Sequence, residues 1–409
     1  MKLIQEVSPM TPISTVCKTV TWRAVQLLSC IALFAVFLLV DWRGPSLQFQ
    51  SWIGETESAT TDAGVHSRAQ HSFGSENVQL ERDYLFLHNW SDDELLQRAE
   101  EMELQLQLQG EGAPSSISDH DSATDKLNGG ARGMPSKIAF LFLTTTGLAL
   151  EPLWRRFFQG HEGLYNLYVH SDPSWLRYHG SHRNLGMFWG RTVPSAVTHR
   201  SDPDVVAAER RLIANALQDD RSNEWFVLVS DTCIPLLSFG SMYLRLNATS
   251  SSFIDCGKGA PGPMMMSRYR ARGDQAMLPE VPFSEFRLGL QFFAIRRRHA
   301  VMVIRDRKYW PKFNQPCVRP ACYPDEHYIQ TVIGNLDEPA CQGTPTFVSW
   351  NGSKGGHPQS FGREDITPNL IQALQASQNG RFLFARKFKR DALEPLLALD
   401  DLLFDRSNP

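Results

Sequence analysis

Apolar positions along this chain fall into two regimes separated by a polar stretch. Between Arg23 and Asp41 the sequence runs AVQLLSCIALFAVFLLV, residues 24–40, uncharged and with only Gln26 and Ser29 clearly polar. As a helix this run spans about 26 Å, short for a ~30 Å hydrocarbon layer but near the ~27 Å of early secretory membranes. Trp22 and Trp42 flank it where interface aromatics sit. A cleaved leader is the competing reading, but its apolar part is usually shorter, and no small-x-small site follows Val40. The expectation is therefore an uncleaved transmembrane signal anchor over 24–40. Lys2, Lys18 and Arg23 against Glu6 make the preceding flank positive, which puts a cytosolic tail at 1–23 and everything after Asp41 on the lumenal side.

Residues 41–136 are rich in Ser, Gly, Gln and Asp and bury too little apolar surface to offset their ordering entropy, so they read as a largely flexible lumenal stem. Ser91 and Glu94 form a capping-box pattern ahead of ELLQRAEEMELQLQL, which predicts a helix there, solvated or weakly coiled-coil. From Lys137 the pattern changes. IAFLFL (138–143) reads as a buried strand, Leu150 to Phe158 as a helix, YNLYVH (165–170) and WFVLVS (225–230) as further strands. Between them, Ser201 or Asp202 caps a helix with Pro203 in its first turn and Val206, Leu212, Ile213, Ala216 and Leu217 on one face. Alternation at these spacings predicts an α/β domain with a mostly parallel sheet, where ligands bind beyond the carboxyl ends of the strands. His170 to Asp172 and Ser230 to Cys233 fall at such ends.

Composition adds three constraints. With 42% apolar and 21% charged residues, the chain as a whole is neither disordered nor fibrous. Forty-one Lys and Arg against 44 Asp and Glu leave a net charge of −3, which argues against a nucleic-acid partner held by phosphate contacts. Of seven cysteines, Cys17 and Cys30 fall in the tail and anchor; Cys233, Cys256, Cys317, Cys322 and Cys341 permit two disulfides and one free thiol, with the pairing open. Sequons at Asn89, Asn247 and Asn351 agree with a lumenal location.

The segments PLWRRFFQGHEGLYNLYVHSDPS (152–174), AERRLIANAL (208–217), NEWFVLVSDTCIPL (223–236), RPACYPDEHY (319–328) and FLFARKF (382–388) together resemble the plant and algal, brittle-culm type branch of the Core-2/I-branching β-1,6-N-acetylglucosaminyltransferase family. The resemblance covers about 137–390. It implies a type II Golgi membrane protein whose residues 137–409 form a GT-A-like catalytic domain, inverting at the anomeric carbon and needing no divalent metal or other cofactor.

Inverting transfer is a single displacement: an acceptor hydroxyl loses its proton while a nucleotide diphosphate leaves from the opposite face. One carboxylate base and a positive cradle are the minimum. By resemblance, the base is the Glu of the family's PDE segment, here Glu326; Asp325 beside it caps the following helix or orients Glu326. Metal-dependent relatives of the fold carry D-x-D after a strand. Here WFVLVS ends in Ser230-Asp231-Thr232-Cys233, and the nearby Asp202-Pro203-Asp204 opens a helix, where capping explains it. The resemblance places Lys387 on the diphosphate with Arg386 as a second candidate, although Lys389 and Arg390 follow and a solvated basic cluster is the bland alternative. In NGSKGGHPQS, between Trp350 and Phe361, Lys354 is the only cation and a further candidate for the diphosphate. Trp350 matches a family tryptophan on the acceptor sugar, although a lone Trp after a strand is commonly core. Asp172 matches a residue on the uridine, although a turn role ahead of Pro173 fits it equally. The run Arg296-Arg297-Arg298 is expected on the solvated side of a helix beginning near His299.

These expectations describe a transferase moving a sugar, N-acetylglucosamine foremost, with xylose and glucuronic acid open, from a UDP-sugar to a glycan or glycoprotein. The alternative is a non-catalytic, membrane-tethered carbohydrate-binding or assembly protein that retains the fold.

Overall fold

The structure, a computed structural model, describes residues 88–111, 135–145, 147–174, 186–188, 190–259, 262–351 and 357–404. The expected anchor at 24–40 and Lys354 lie outside the described residues. Among the described residues, no helix is long and apolar enough to cross a membrane.

A four-stranded sheet forms the centre, in the order β2-β1-β3-β5. Strands β1 (Lys137–Thr144), β2 (Tyr165–Ser171) and β3 (Asn223–Ser230) are parallel, and β5 (Ala294–Arg296) runs antiparallel to β3. The β1 sequence KIAFLFLT is apolar on both faces because helices cover both. Ile138, Phe140 and Phe142 pack with Leu153, Trp154, Phe157 and Phe158 of a helix at Glu151–Phe158. Ala139 and Leu141 face the other way, toward Val206, Leu212 and Ile213 of a helix at Pro203–Asp219. Phe140 sits edge-on to Phe158 at 4.9 Å between ring centroids, a contact that an Ala at 140 would replace with a cavity costing about 3–5 kcal/mol. A second sheet joins β4 (Ile234–Pro235), β7 (Phe384–Arg386) and β6 (Thr346–Val348), in the order β4-β7-β6. Two disulfides, Cys256–Cys341 and Cys317–Cys322, settle the pairing and leave Cys233 as a buried free thiol.

In chain order the helices used below are α1 (Asp92–Glu111), α2 (Glu151–Phe158), α3 (Pro203–Asp219), α4 (Phe239–Asn247), α5 (Pro263–Tyr269), α6 (Arg297–Arg305) and α7 (Tyr328–Leu336). Asp202 caps α3 by accepting from the Asp204 amide, as the D-P-D sequence predicts.

Helix α1 corrects the expectation of a solvated stem helix. Its capping box forms, with the Glu94 amide bonding Ser91 Oγ and the Ser91 amide bonding Glu94 Oε2. Its apolar stripe, Leu95, Leu96 and Ala99, is buried against the α/β body. Arg211 of α3 holds both oxygens of Asp92 at 2.7 and 2.6 Å, and Arg297 pairs with the buried Glu103. The arginine run at 296–298 is corrected with it. Only Arg298 is solvated in the expected way; Arg297 turns inward to Glu103 and the Asn223 carbonyl, and Arg296 covers the Trp225 ring. A charge run read along one chain cannot show that a helix two hundred residues away supplies its counter-ion. Removing α1 uncovers this apolar stripe and strips Arg211 and Arg297 of their carboxylates. A fragment 137–409 is therefore expected to unfold about 10 °C or more below a fragment 88–409 in thermal denaturation; equal midpoints would show that α1 contributes nothing.

Candidate functional site

The parallel register sets where chemistry can gather. Leu143 of β1 lies level with His170 of β2 and Ser230 of β3, so three strands end together at one edge of the sheet. His170 is fully buried there; its Nε2 faces the Ala196 amide at 3.2 Å and Arg211 Nη1 at 3.1 Å. Burial, reinforced by the Arg211 charge, lowers its pKa to about 4, so it stays neutral and accepts through Nε2. Asp172 follows, and its carboxylate accepts from the amide and hydroxyl of Ser174 (2.8 and 2.6 Å) and of Thr198 (3.1 and 3.2 Å). Burial pushes this carboxyl up, but those four bonds outweigh it and hold it below the usual range. Asp172 therefore stands at the expected strand end with both oxygens engaged in shaping the turn.

The second cluster is the turn ahead of α7. Tyr323 adopts a left-handed backbone (φ 45°), as does Ala321 (φ 65°), and a single 3₁₀ turn, Pro324–Glu326, follows. Such conformations are uncommon outside glycine and persist only where the surroundings enforce them. Here the Cys317–Cys322 disulfide closes the loop on one side, and the Arg268 guanidinium lies 4.8 Å over the Tyr323 ring on the other. Arg268, from α5, pairs with Glu326 Oε2 and reaches His327 Nε2 at 3.3 Å. His327 is buried and stacked on Phe286, and its Nδ1 donates to the Arg287 carbonyl at 2.6 Å. Burial takes its pKa to about 3, so Nε2 is left as an acceptor for Arg268. A chain of fixed groups thus aims the Glu326 carboxylate. Its carbonyl is fixed as well, by the Gly289 amide at 3.0 Å. A Cβ at Gly289 would fall 2.0 Å from the Asp255 carbonyl oxygen, so only glycine fits under this turn.

Asp325 does not cap α7: the cap position is His327 and no side chain bonds the helix amides there. Asp325 lies inside the 3₁₀ turn, which puts the helix start three residues past it, at Tyr328. Its Oδ1 is sealed from solvent, and burial followed by the Glu326 charge raises its pKa to about 6.

The third cluster is cationic. Strand β7 delivers Arg386 and then Lys387, both partly buried, whereas Lys389 and Arg390 beyond them are exposed. Arg386 lies 4.4 Å over the Phe292 ring, and its Nε is buried without a hydrogen-bond partner among the described residues. Burial lowers the Lys387 ammonium, and the neighbouring charges of Arg386 and Arg200 lower it further, against Asp231 at the end of β3. Arg386 is likewise lowered by burial and steadied by Asp231 and Asp325. Arg200, which the sequence reading passed over, reaches this cluster from the loop before α3 and bonds His357 at 3.0 Å. Trp350 follows β6, whose Val348 pairs with Arg386, and it is 49% exposed, so it is not a core residue. Cys233 beside Arg386 is pushed up by burial and stays a thiol.

Glu326, Asp325, Arg386 and Lys387 therefore share one neighbourhood; Asp172 lies at the β2 end and Trp350 on the β6 side. Arg268, His327 and Arg200 are the contributors with no sequence signal of their own. The match to the family model described as Core-2/I-Branching enzyme spans residues 138–375, which takes in all three clusters except Arg386 and Lys387. The chain belongs to the Core-2/I-branching enzyme family. It is also 32% identical over 315 residues to the protein named Glycosyltransferase BC10 from Oryza sativa subsp. japonica, covering 64% of this chain and 76% of the relative. The fold described above is thus the α/β glycosyltransferase domain of a Core-2/I-branching enzyme.

In this Core-2/I-branching enzyme the Arg268–Glu326 pair is only partly exposed, with side chains 16% and 26% accessible. A double-mutant cycle of Arg268→Ala and Glu326→Ala, followed by urea denaturation, is expected to give a coupling of about 1–2 kcal/mol. Additive single changes would show that the pair does not hold the turn.

Proposed function

We propose that this glycosyltransferase moves a sugar, N-acetylglucosamine foremost, from a UDP-sugar to a hydroxyl of a glycan or glycoprotein, with inversion, on a GT-A-like scaffold and without a divalent metal. The observation that carries the reading is a held, partly exposed carboxylate, Glu326, in the same neighbourhood as the partly buried cations Arg386 and Lys387 at the end of β7. Arg268 engages Oε2, and Oε1 is the oxygen proposed to take the acceptor proton. As the hydroxyl oxygen bonds the anomeric carbon, the bond to UDP breaks and negative charge grows on the diphosphate. Lys387 and Arg386, with Arg200 and Lys354 as further candidates, are proposed to meet that charge. Arg386 and Lys387 are partly withdrawn from water before the reaction, so little reorganisation accompanies charge development there. Trp350 offers an exposed ring on which an acceptor sugar can stack, and Asp172 shapes the edge proposed for uridine.

A lumenal Golgi location, behind a single type II anchor at 24–40, is part of the same proposal. It is supported by two disulfides, which form in oxidising compartments, and by the exposed sequons at Asn89 and Asn351. Glu326→Gln keeps the shape and removes the base. With UDP-sugar hydrolysis and transfer followed on a fragment 88–409, it is expected to lower kcat by about 10²–10⁴ while donor KM changes little. Full transfer by this variant would remove Glu326 from the base role.

A further inference from the structure

Behind the Glu326 turn lies a second carboxyl that the proposed chemistry does not use. Glu209 sits in the middle of α3, 1% exposed, where an apolar residue would satisfy the helix pattern as well. Its Oε1 accepts from Gln291 Nε2 at 2.8 Å, while its Oε2 is buried with no partner among the described residues. Asp325 presents the matching defect, an Oδ1 sealed from solvent and also without a partner. Helix α3 packs directly against the Pro324–Glu326 turn, and the two carboxyls act on one another electrostatically. Two acceptor oxygens in such a place cannot both be ionised: each lacks a donor, and each worsens the other's burial. One proton on either carboxyl leaves a single negative charge for the pair to carry. Around the pair stand Glu326 and the cations Arg268, Arg200 and Arg386, which favour one net negative charge over none.

We propose that Glu209 and Asp325 hold a single proton between them and that this buried pair positions Glu326 electrostatically, keeping one fixed negative charge behind the base. The inference rests on the base role given to Glu326 above. In this proposal the charge favours proton transfer to Glu326 and balances Arg386. Glu209 and Asp325 touch no substrate in this account and are positioning residues.

The test has two arms. The first needs no substrate. A carboxyl whose folded-state pKa is raised holds a proton that the unfolded chain releases, so its stabilising contribution is full below the unfolded value near 4.3 and is lost as pH rises through the folded value. Glu209→Gln keeps a donor in place without holding an extra proton. Its thermal midpoint minus that of the unaltered fragment 88–409 is therefore expected to rise by about 5 °C between pH 5 and pH 8. Parallel curves would overturn the shared proton. The second arm reads the pH profile of UDP-sugar hydrolysis. Asp325→Asn displaces the fixed charge onto Glu209, away from Glu326, and the acid limb of kcat/KM is expected to move down by about one pH unit with kcat lowered about tenfold and donor KM within about threefold. Glu209→Gln retains the charge on Asp325 and is expected to keep the acid limb in place. An unmoved limb in Asp325→Asn, with Glu326→Gln inactive, would overturn the positioning role while leaving the base role standing. A fully active Glu326→Gln would instead fault the base role, and the first arm would still decide the shared proton.

Discussion

Two partly buried cations, Arg386 and Lys387, lie within each other's field and that of the exposed Arg200. Like charges gathered in this way cost free energy in the unliganded fold, and an anionic partner offsets that cost. Much of the surrounding structure serves to maintain the arrangement. The pairing of β7 with β6 and β4 fixes the backbone from which Arg386 and Lys387 project, Phe292 supports the guanidinium face, and Asp231 supplies a countercharge from the end of β3. The proposed base is held with comparable firmness on the opposite element, by Arg268, by neutral His327 behind it, and by a glycine that nothing larger can replace.

Parts of this were legible in the sequence and parts were not, for physical reasons. The strands at IAFLFL, YNLYVH and WFVLVS and the D-P-capped helix α3 were readable because burial on both sheet faces and end-capping leave local patterns. The neighbourhood of Glu326 and Lys387 became legible only through resemblance, since neither PDE nor ARKF differs locally from a helix start or a surface basic run. Arg268, His327 and Glu209 left no local mark at all, because what each does depends on a partner 58, 59 or 116 positions away, counted from Glu326 to Arg268, Arg268 to His327 and Glu209 to Asp325. Of the two roles open to Asp325, capping α7 or orienting Glu326, capping does not occur, because Asp325 lies within a 3₁₀ turn that is invisible in the hydrophobic pattern.

The stem helix shows the same limitation and adds a consequence. Its polar composition suggested a tether, but three buried apolar residues and the carboxylates of Asp92, Glu100 and Glu103 join it to α3 and α6. Through Arg211 that contact continues to His170, at the strand end beside Asp172. The part of the chain that folds with the catalytic body therefore includes α1, upstream of the start at 137 that the strand pattern suggested.

The central claim, that fixed side chains meet the diphosphate in place of a metal, is tested most directly by calorimetric titration of UDP into fragment 88–409 in the presence of EDTA. The account predicts binding in EDTA that added manganese does not strengthen, and a loss of affinity of about 10–100-fold in Lys387→Ala. Binding that appears only with manganese, or that survives Lys387→Ala undiminished, would contradict it.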